Sequence, residues 1–219
     1  MKKYLIIVEG KADVVFLRDY LKLLDNNFIL KNKKKEIKSE NLIESENIKI
    51  KIFVAGSYNG IERLKNKIMP LIDLKVGYKL LVIQDADNPK KRDGGVDSRL
   101  KYLKEIKKKL DVEFEIFLFP NNKDDGDLET LLLQISCEKI NYKNFLRCNI
   151  NYKKEIKEIA LEFSDELDED KYKIFHYFRT FYGSINAKEE NRVYEEEYWD
   201  FSHDALKPLK KFIKKEMII

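Results

Sequence analysis

The strongest constraint on the fold is an alternation of apolar runs with amphipathic segments, repeated four times before residue 136. Apolar runs rich in β-branched residues predict buried strands at 3–8, 48–55, 78–84 and 113–119. Apolar side chains at helical spacing predict helices at 12–24, about 58–69 (ended by Pro70), about 97–109 and 128–135. Such alternation favours helices on both faces of a parallel sheet. We therefore expect an α/β core built on a four-stranded, mainly parallel sheet.

Two regions depart from this alternation. The polar segment 25–47, with a basic run at 31–35, predicts a solvated loop, and contact of the basic run with a nucleic-acid backbone is the alternative. Residues 138–219 show helical patterns and no convincing strand. We expect an α/β core over 1–137 and a helical C-terminal extension over 138–219 packed on it. The aromatic residues of 175–182 fit core packing better than base stacking.

Composition narrows the function only slightly. The net charge of +4 and the pI of about 8.7 permit a polyanionic partner but do not demand one. The cysteines, Cys137 and Cys148, form no close pair, which argues against a structural zinc site and a disulfide framework. No apolar run approaches the roughly 20 residues of a membrane span. We expect a soluble cytoplasmic protein without a membrane partner.

Acidic residues follow two of the predicted strands. Glu9 comes directly after the first strand, and Asp85 and Asp87 come directly after the third. Ligands of open α/β sheets bind beyond the carboxyl ends of the strands. If these strands are neighbours, the carboxylates converge, and the Asp pair can point to one side if its backbone stays extended. Clustered carboxylates repel one another unless a cation or protons neutralise them, and hard oxygen ligands suit Mg²⁺ or Mn²⁺.

A further acidic segment, Gly-Asp-Leu-Glu at 126–129, follows the fourth strand. Glu129 is a candidate metal ligand, with a first-turn helix carboxylate as the equal alternative. Asp127 fits the N-cap of the helix that follows. Arg92 and Arg99, which come after the Asp pair, are candidates for contact with a phosphate.

Two motifs resemble the Toprim superfamily. Residues 8–15, Val-Glu-Gly-Lys-Ala-Asp-Val-Val, are similar to the first Toprim motif, and residues 82–87, Val-Ile-Gln-Asp-Ala-Asp, are similar to the second. The resemblance covers about residues 3–135 and is closest to a small stand-alone Toprim-like family of unknown function. It departs from many Toprim proteins after the Asp pair, where Asn88, Pro89 and Lys90 stand before the first glycine.

The resemblance implies a role for each motif residue. Glu9 would act as general acid/base or metal ligand, while Asp85 and Asp87 would hold Mg²⁺ against a phosphodiester. The candidate substrate-binding residues are Gly10, Lys11 and Asp13 of the first motif, together with Arg92 after the Asp pair, although an exposed surface lysine is the commoner interpretation of Lys11.

Three functions remain open from the sequence. The first is metal-dependent phosphodiester chemistry on DNA or RNA, most simply by a Toprim-type nuclease, a hydrolase with Mg²⁺ or Mn²⁺ as cofactor. The second is a non-catalytic Toprim-fold module that binds nucleic acid or protein, since a fold does not fix a function. The third is a glycosyltransferase in which Asp85 and Asp87 hold a metal-bound nucleotide sugar, which leaves Glu9 unexplained. A partner protein or a homodimer is compatible with each of them.

Overall fold

The computed structural model describes residues 1–30, 40–73, 77–91, 93–136, 144–145, 148, 151, 169–185 and 187–217. The predicted contacts of Arg92 and of the basic run at 31–35 therefore concern residues outside the described ones. Within the described ranges, no helix combines the length and the apolar character that crossing a bilayer demands.

The fold is an α/β fold with a mostly parallel sheet, as the alternation predicts. The strands are β1 (Lys2–Val8), β2 (Ile29–Leu30), β3 (Glu40–Glu44), β4 (Ile48–Val54), β5 (Lys79–Asp85) and β6 (Glu115–Phe119). They lie in the order β2-β3-β4-β1-β5-β6, and β4, β1, β5 and β6 are parallel. These four parallel strands correspond to the four predicted ones. In this order the strand β1 has both β4 and β5 as direct neighbours.

The sheet also has an antiparallel edge that the sequence reading missed. The strand β3 pairs with β4 and β2 pairs with β3, so the prediction of a loop over 25–47 was wrong for these residues. The strand β3 lies between the short edge strand β2 and β4, and three of its five residues, Glu40, Asn41 and Glu44, are polar. Its glutamates bond lysines of β4, with Lys51 Nζ at 2.7 Å from Glu40 and Lys49 Nζ at 3.1 Å from Glu44. Cross-strand charge pairs of this kind stabilise a sheet without apolar side chains. A strand that they stabilise therefore lacks part of the apolar pattern by which strands are predicted.

Helices cover both faces of the sheet. They are α1 (Lys11–Leu24), α2 (Lys65–Ile72), α3 (Val96–Leu110), α4 (Leu128–Ile135), α5 (Glu169–Phe181) and α6 (Lys207–Met217). Alternate residues of β1 divide between two cores: Ile6 and Val8 pack with α1, α4, α5 and α6, while Leu5 and Ile7 pack with α2 and α3. Helix α2 continues past the exposed Pro70 to Ile72, so the prediction that Pro70 ends it was wrong, because a proline near the end of a helix removes only one hydrogen bond.

The C-terminal helices share the first of these cores. Trp199 is 1% exposed, and its ring lies 5.0 Å from the Tyr177 ring and 5.4 Å from the Phe178 ring. The Asp200 amide donates to the Ile135 carbonyl at 2.7 Å, which ties this segment to the end of α4. The core-packing interpretation of the aromatic cluster holds for Tyr177 and Phe178, which are buried. The division at residue 137 stays a prediction.

Candidate acidic site at the carboxyl edge of the sheet

Two neighbouring strands deliver acidic residues to the same edge of the sheet. The parallel register pairs Val8 of β1 with Ile83 of β5. Glu9 follows this pair by one residue, directly after β1, and Asp85 follows it by two, as the last residue of β5. Because β1 and β5 are both buried and apolar, the first charged groups after them are forced to this edge.

Asp13 joins this edge from the first turn of α1. Its Oδ2 accepts a hydrogen bond from the Gly10 amide at 2.8 Å, and only 4% of the residue is exposed. Burial, reinforced by repulsion from Glu129 and Glu9, raises the pKa of Asp13 to about 8. An acidic group that belongs to the first Toprim-like motif is therefore held protonated at neutral pH in the absence of a cation.

Asp85 lies at the end of β5, directly opposite the start of α4. Its Oδ1 accepts a hydrogen bond from the Leu128 amide at 3.0 Å, and the residue is buried. Burial raises the pKa of Asp85 well above its usual range, and repulsion from Asp13 and Glu9 adds to the shift. Since Glu9 and Asp13 both act on Asp85, and Glu9 acts on Asp13, the three carboxyl groups belong to one electrostatic cluster.

Glu9 interacts electrostatically with both members of the Asp pair, because it raises the pKa of Asp85 and Asp87 raises its own. Burial raises its pKa, Asp87 raises it further, and the cations Arg99, Lys171 and Lys91 oppose the shift. Its Oε2 atom is buried and has no hydrogen-bond partner among the described residues. A buried carboxylate oxygen without a donor indicates a missing partner, such as a cation or a proton.

Asp87 differs from Asp85 in its backbone conformation and in the partners of its carboxylate. Its φ angle of 62° lies in the left-handed region, so the backbone does not stay extended through the Asp pair. The carboxylate bonds Arg99 Nη2 and, at 3.0 Å, Lys91 Nζ. Burial would raise the pKa of Asp87, but the hydrogen bonds from Lys91 and Arg99 outweigh burial and lower it. Asp87 is thus an ionised carboxylate that two cations already neutralise.

The acidic segment at the start of α4 contains one cap and one ion pair. Asp127 Oδ1 accepts from the Thr130 amide at 2.9 Å, which confirms the N-cap interpretation. Glu129 is 3% exposed, and its Oε1 lies 3.1 Å from Nη1 of the buried Arg192. Glu129 also acts electrostatically on Asp13 and Asp85, so it borders the cluster while it neutralises an arginine.

The remaining predicted substrate contacts lie in the turn between β1 and α1. Lys11 is exposed, as its commoner interpretation requires. Gly10 has an ordinary φ angle of −128°, and an added Cβ would come no closer than 3.9 Å to its nearest neighbour, Asp13 Oδ2. The fold itself therefore does not require glycine at this position.

Comparison with known proteins identifies a family without identifying an activity. The family described as "Protein of unknown function (DUF3226)" matches residues 3–217. This chain belongs to the DUF3226 family. No curated protein matches the sequence. Among solved structures, a hypothetical protein from Pyrococcus horikoshii OT3 is similar, with a TM-score of 0.52 and 17% identity over 100% of this chain and 96% of that chain. At this identity the likeness shows the fold alone.

Sequence reasoning missed the cationic partners of the acidic residues in this DUF3226 protein. Arg99 is 2% exposed, lies in the buried stripe of α3, and its guanidinium carbon is 3.8 Å from the centre of the Tyr58 ring. An arginine among apolar residues at helical spacing, as with Leu103 and Ile106, could have indicated a buried ion pair. Arg192 offered no such signal because its partner Glu129 is 63 residues away.

The acidic cluster of this DUF3226 protein fits a divalent cation in chemistry and in charge. Glu9, Asp13 and Asp85 offer only hard oxygen donors, and a bound cation would favour their ionised forms, which burial and repulsion disfavour. No group of three acidic, histidine or cysteine side chains within the described ranges is already arranged as a ligand set. Holding an ion there therefore requires side-chain rotation, for which the unpartnered Oε2 of Glu9 is available.

Proposed function

We propose that the protein carries out metal-dependent phosphodiester chemistry on nucleic acid, most simply as a Toprim-type nuclease. The observation that carries the proposal is the convergence of Glu9, Asp13 and Asp85 at the edge shared by β1 and β5, with raised pKa values for all three. Strongly perturbed pKa values of carboxyl groups cluster at functional sites. The resemblance of residues 8–15 and 82–87 to Toprim motifs supports the same chemistry.

Each side chain of the cluster has a role in this proposal. Mg²⁺ or Mn²⁺ bound by Glu9 and Asp85 would supply the charge that stabilises the phosphodiester transition state. In the alternative role of Glu9, as general acid/base, its raised pKa would let it hold a proton more readily than an exposed glutamate does. Arg99 is buried and holds Asp87 in place, while Lys91, with 46% of its side chain exposed, can move from Asp87 to a substrate phosphate.

The test compares Glu9→Gln with a matched exposed glutamate. Purified protein is incubated with single- and double-stranded DNA and RNA, with Mg²⁺, Mn²⁺ or EDTA. Glu113 has a side chain that is 94% exposed, so Glu113→Gln controls for the loss of one negative charge. We expect metal-dependent cleavage by the wild type and by Glu113→Gln, and none by Glu9→Gln. Cleavage that persists unchanged in Glu9→Gln would show that the assigned site is wrong.

A non-catalytic binding module is the second candidate. It is favoured by the pairing of Asp87 with two cations, which leaves one predicted metal ligand already neutralised. This candidate predicts salt-dependent binding of nucleic acid without turnover, because phosphate contacts release counterions. Turnover that requires Glu9 would eliminate it.

A further inference from the structure

A cleft adjoins the acidic cluster on the side of α5. Its volume is about 540 Å³, within the range of roughly 300–1,000 Å³ typical of small-molecule sites. Glu129 and Lys171 line the cleft, and both act electrostatically on Asp13. Lys171 acts on Glu9 as well. The cleft and the acidic cluster therefore share a border, and one bound molecule can reach both.

One wall of the cleft consists of aromatic rings. Phe175 and His176 come three and four residues after Tyr172 on α5, so each of them neighbours Tyr172 on the helix surface. The Tyr172 and His176 rings are 4.3 Å apart, and the Phe175 and His176 rings are 5.5 Å apart. Phe175 is 40% exposed, unlike Tyr177 and Phe178, which are buried in the core. These rings offer flat apolar faces to a ligand.

The polar groups of the cleft restrict the kind of ligand. Arg192 is 3% exposed and lines the cleft, and its Nε has no hydrogen-bond partner of ordinary geometry among the described residues, although the Tyr194 side chain lies nearby. Burial, followed by the charge of Arg179, lowers the pKa of His176, which favours the neutral imidazole. The cleft thus combines aromatic faces and the buried donor Arg192 with two lysines and three glutamates: Lys171, Lys188, Glu129, Glu189 and Glu190.

We propose that this cleft binds an unpaired nucleobase, so that the substrate class is single-stranded nucleic acid. This inference rests on the proposed function, because it takes the acidic cluster as the place where the adjacent phosphodiester reacts. Single-strand binding sites combine aromatic faces for bases with cations for phosphates. In this arrangement the base stacks on the exposed Phe175 ring, to which the His176 ring is nearly perpendicular at 87°, and Lys171 faces the phosphate on the side of the acidic cluster. A base in a duplex has no face free to stack.

The decisive measurement is binding of labelled oligonucleotides by fluorescence anisotropy, in Ca²⁺ and again in EDTA. The probes are a single strand, an abasic strand of the same length, and a duplex of the same sequence. Phe175→Ala removes the most exposed ring, and Phe175→Trp keeps a flat ring at the same place. Leu23, which is 39% exposed and lies outside the cleft, gives the control Leu23→Ala. Circular dichroism checks that each variant is folded.

We expect the wild type to bind the single strand more tightly than the abasic strand or the duplex. Phe175→Ala should weaken single-strand binding about tenfold, as loss of one stacking partner does in other single-strand binders. Phe175→Trp and Leu23→Ala should bind like the wild type. Equal binding of the abasic and base-carrying strands would overturn the proposal, as would unchanged binding by Phe175→Ala or by the duplex. If Phe175→Ala does not fold, the comparison of strands on the wild type still decides the question.

Failure of this inference and failure of the proposed function have different signatures. If Glu9→Gln abolishes cleavage but Phe175→Ala binds normally, the base site is wrong and the catalytic site stands. If Phe175→Ala loses single-strand binding but Glu9→Gln still cleaves, the base site stands and the catalytic assignment is wrong.

Discussion

Replacing Asp13 by asparagine should stabilise the protein at neutral pH, although it alters a buried hydrogen-bonded residue. Burial and neighbouring carboxylates raise the folded-state pKa of Asp13 from 3.8 to about 8. Between these values the folded protein keeps a proton that the unfolded chain has released. The contribution of Asp13 to stability is therefore greatest below pH 3.8 and declines as the pH rises towards 8. Asparagine is neutral throughout and still offers an oxygen to the Gly10 amide.

The size of the effect follows from the pKa difference. Each pKa unit corresponds to about 1.4 kcal/mol, so the ionisation of the unfolded chain costs the wild type at most about 4 kcal/mol at pH 7. Glu9 and Asp85 share the repulsion with Asp13, so part of this cost passes to them. We expect Asp13→Asn to be about 2 kcal/mol more stable than the wild type at pH 7 and equally stable below pH 4.

Urea denaturation of both proteins between pH 4 and pH 8, in EDTA, measures this difference. Glu113→Gln is the control, and its stability relative to the wild type should not vary with pH because the side chain is 94% exposed. A saturating divalent cation should reduce the advantage of Asp13→Asn, since binding to the folded state stabilises the wild type. An Asp13→Asn variant that is less stable at pH 7, or whose difference is the same at every pH, would refute the reasoning.

Three other substitutions test separate parts of the site. Arg99→Met leaves the Asp87 carboxylate with Lys91 alone, and it should lower the free energy of unfolding by about 3 kcal/mol in urea denaturation; no loss would mean that the pair is unimportant. Gly10→Ala should change stability by less than about 0.5 kcal/mol, because the new Cβ meets nothing closer than 3.9 Å, yet it should slow cleavage if a phosphate passes over the turn. Asp127→Ala should cost about 1 kcal/mol in thermal or urea unfolding without weakening metal binding, as expected for an N-cap.

The local parts of the site could be read from the sequence. The buried strands β1 and β5 are continuous apolar runs, so the emergence of Glu9 and Asp85 at one edge followed from their neighbouring, parallel arrangement. The N-cap role of Asp127 was also local, because the residue precedes an apolar helix. The N-cap depends on residues close together in the chain, whereas the convergence of Glu9 and Asp85 also depends on β1 and β5 being neighbours, which the sequence left open.

The direction of Asp87 depended on distant residues and could not be predicted. Its left-handed backbone is held by Gly126, whose carbonyl accepts from the Asp87 amide at 2.6 Å and whose amide donates to the Asp87 carbonyl at 3.2 Å. Its carboxylate is drawn to Arg99, which α3 brings back to the edge of the sheet. The pairing of Glu129 with Arg192 is non-local in the same way. The spacing of the motifs predicts which acidic residues lie at the carboxyl edge of the sheet. It does not predict which basic residues form ion pairs with them.

The most direct test of the central claim is a titration of the protein with Mn²⁺, followed by the loss of the electron paramagnetic resonance signal of free Mn²⁺. The claim is that Glu9, Asp13 and Asp85 form a cluster that a divalent cation neutralises. The wild type and Glu113→Gln should bind Mn²⁺ saturably, while Glu9→Gln and Asp85→Asn should bind it at least about tenfold more weakly. Absence of saturable binding by the wild type, or equal binding by all four proteins, would contradict the claim.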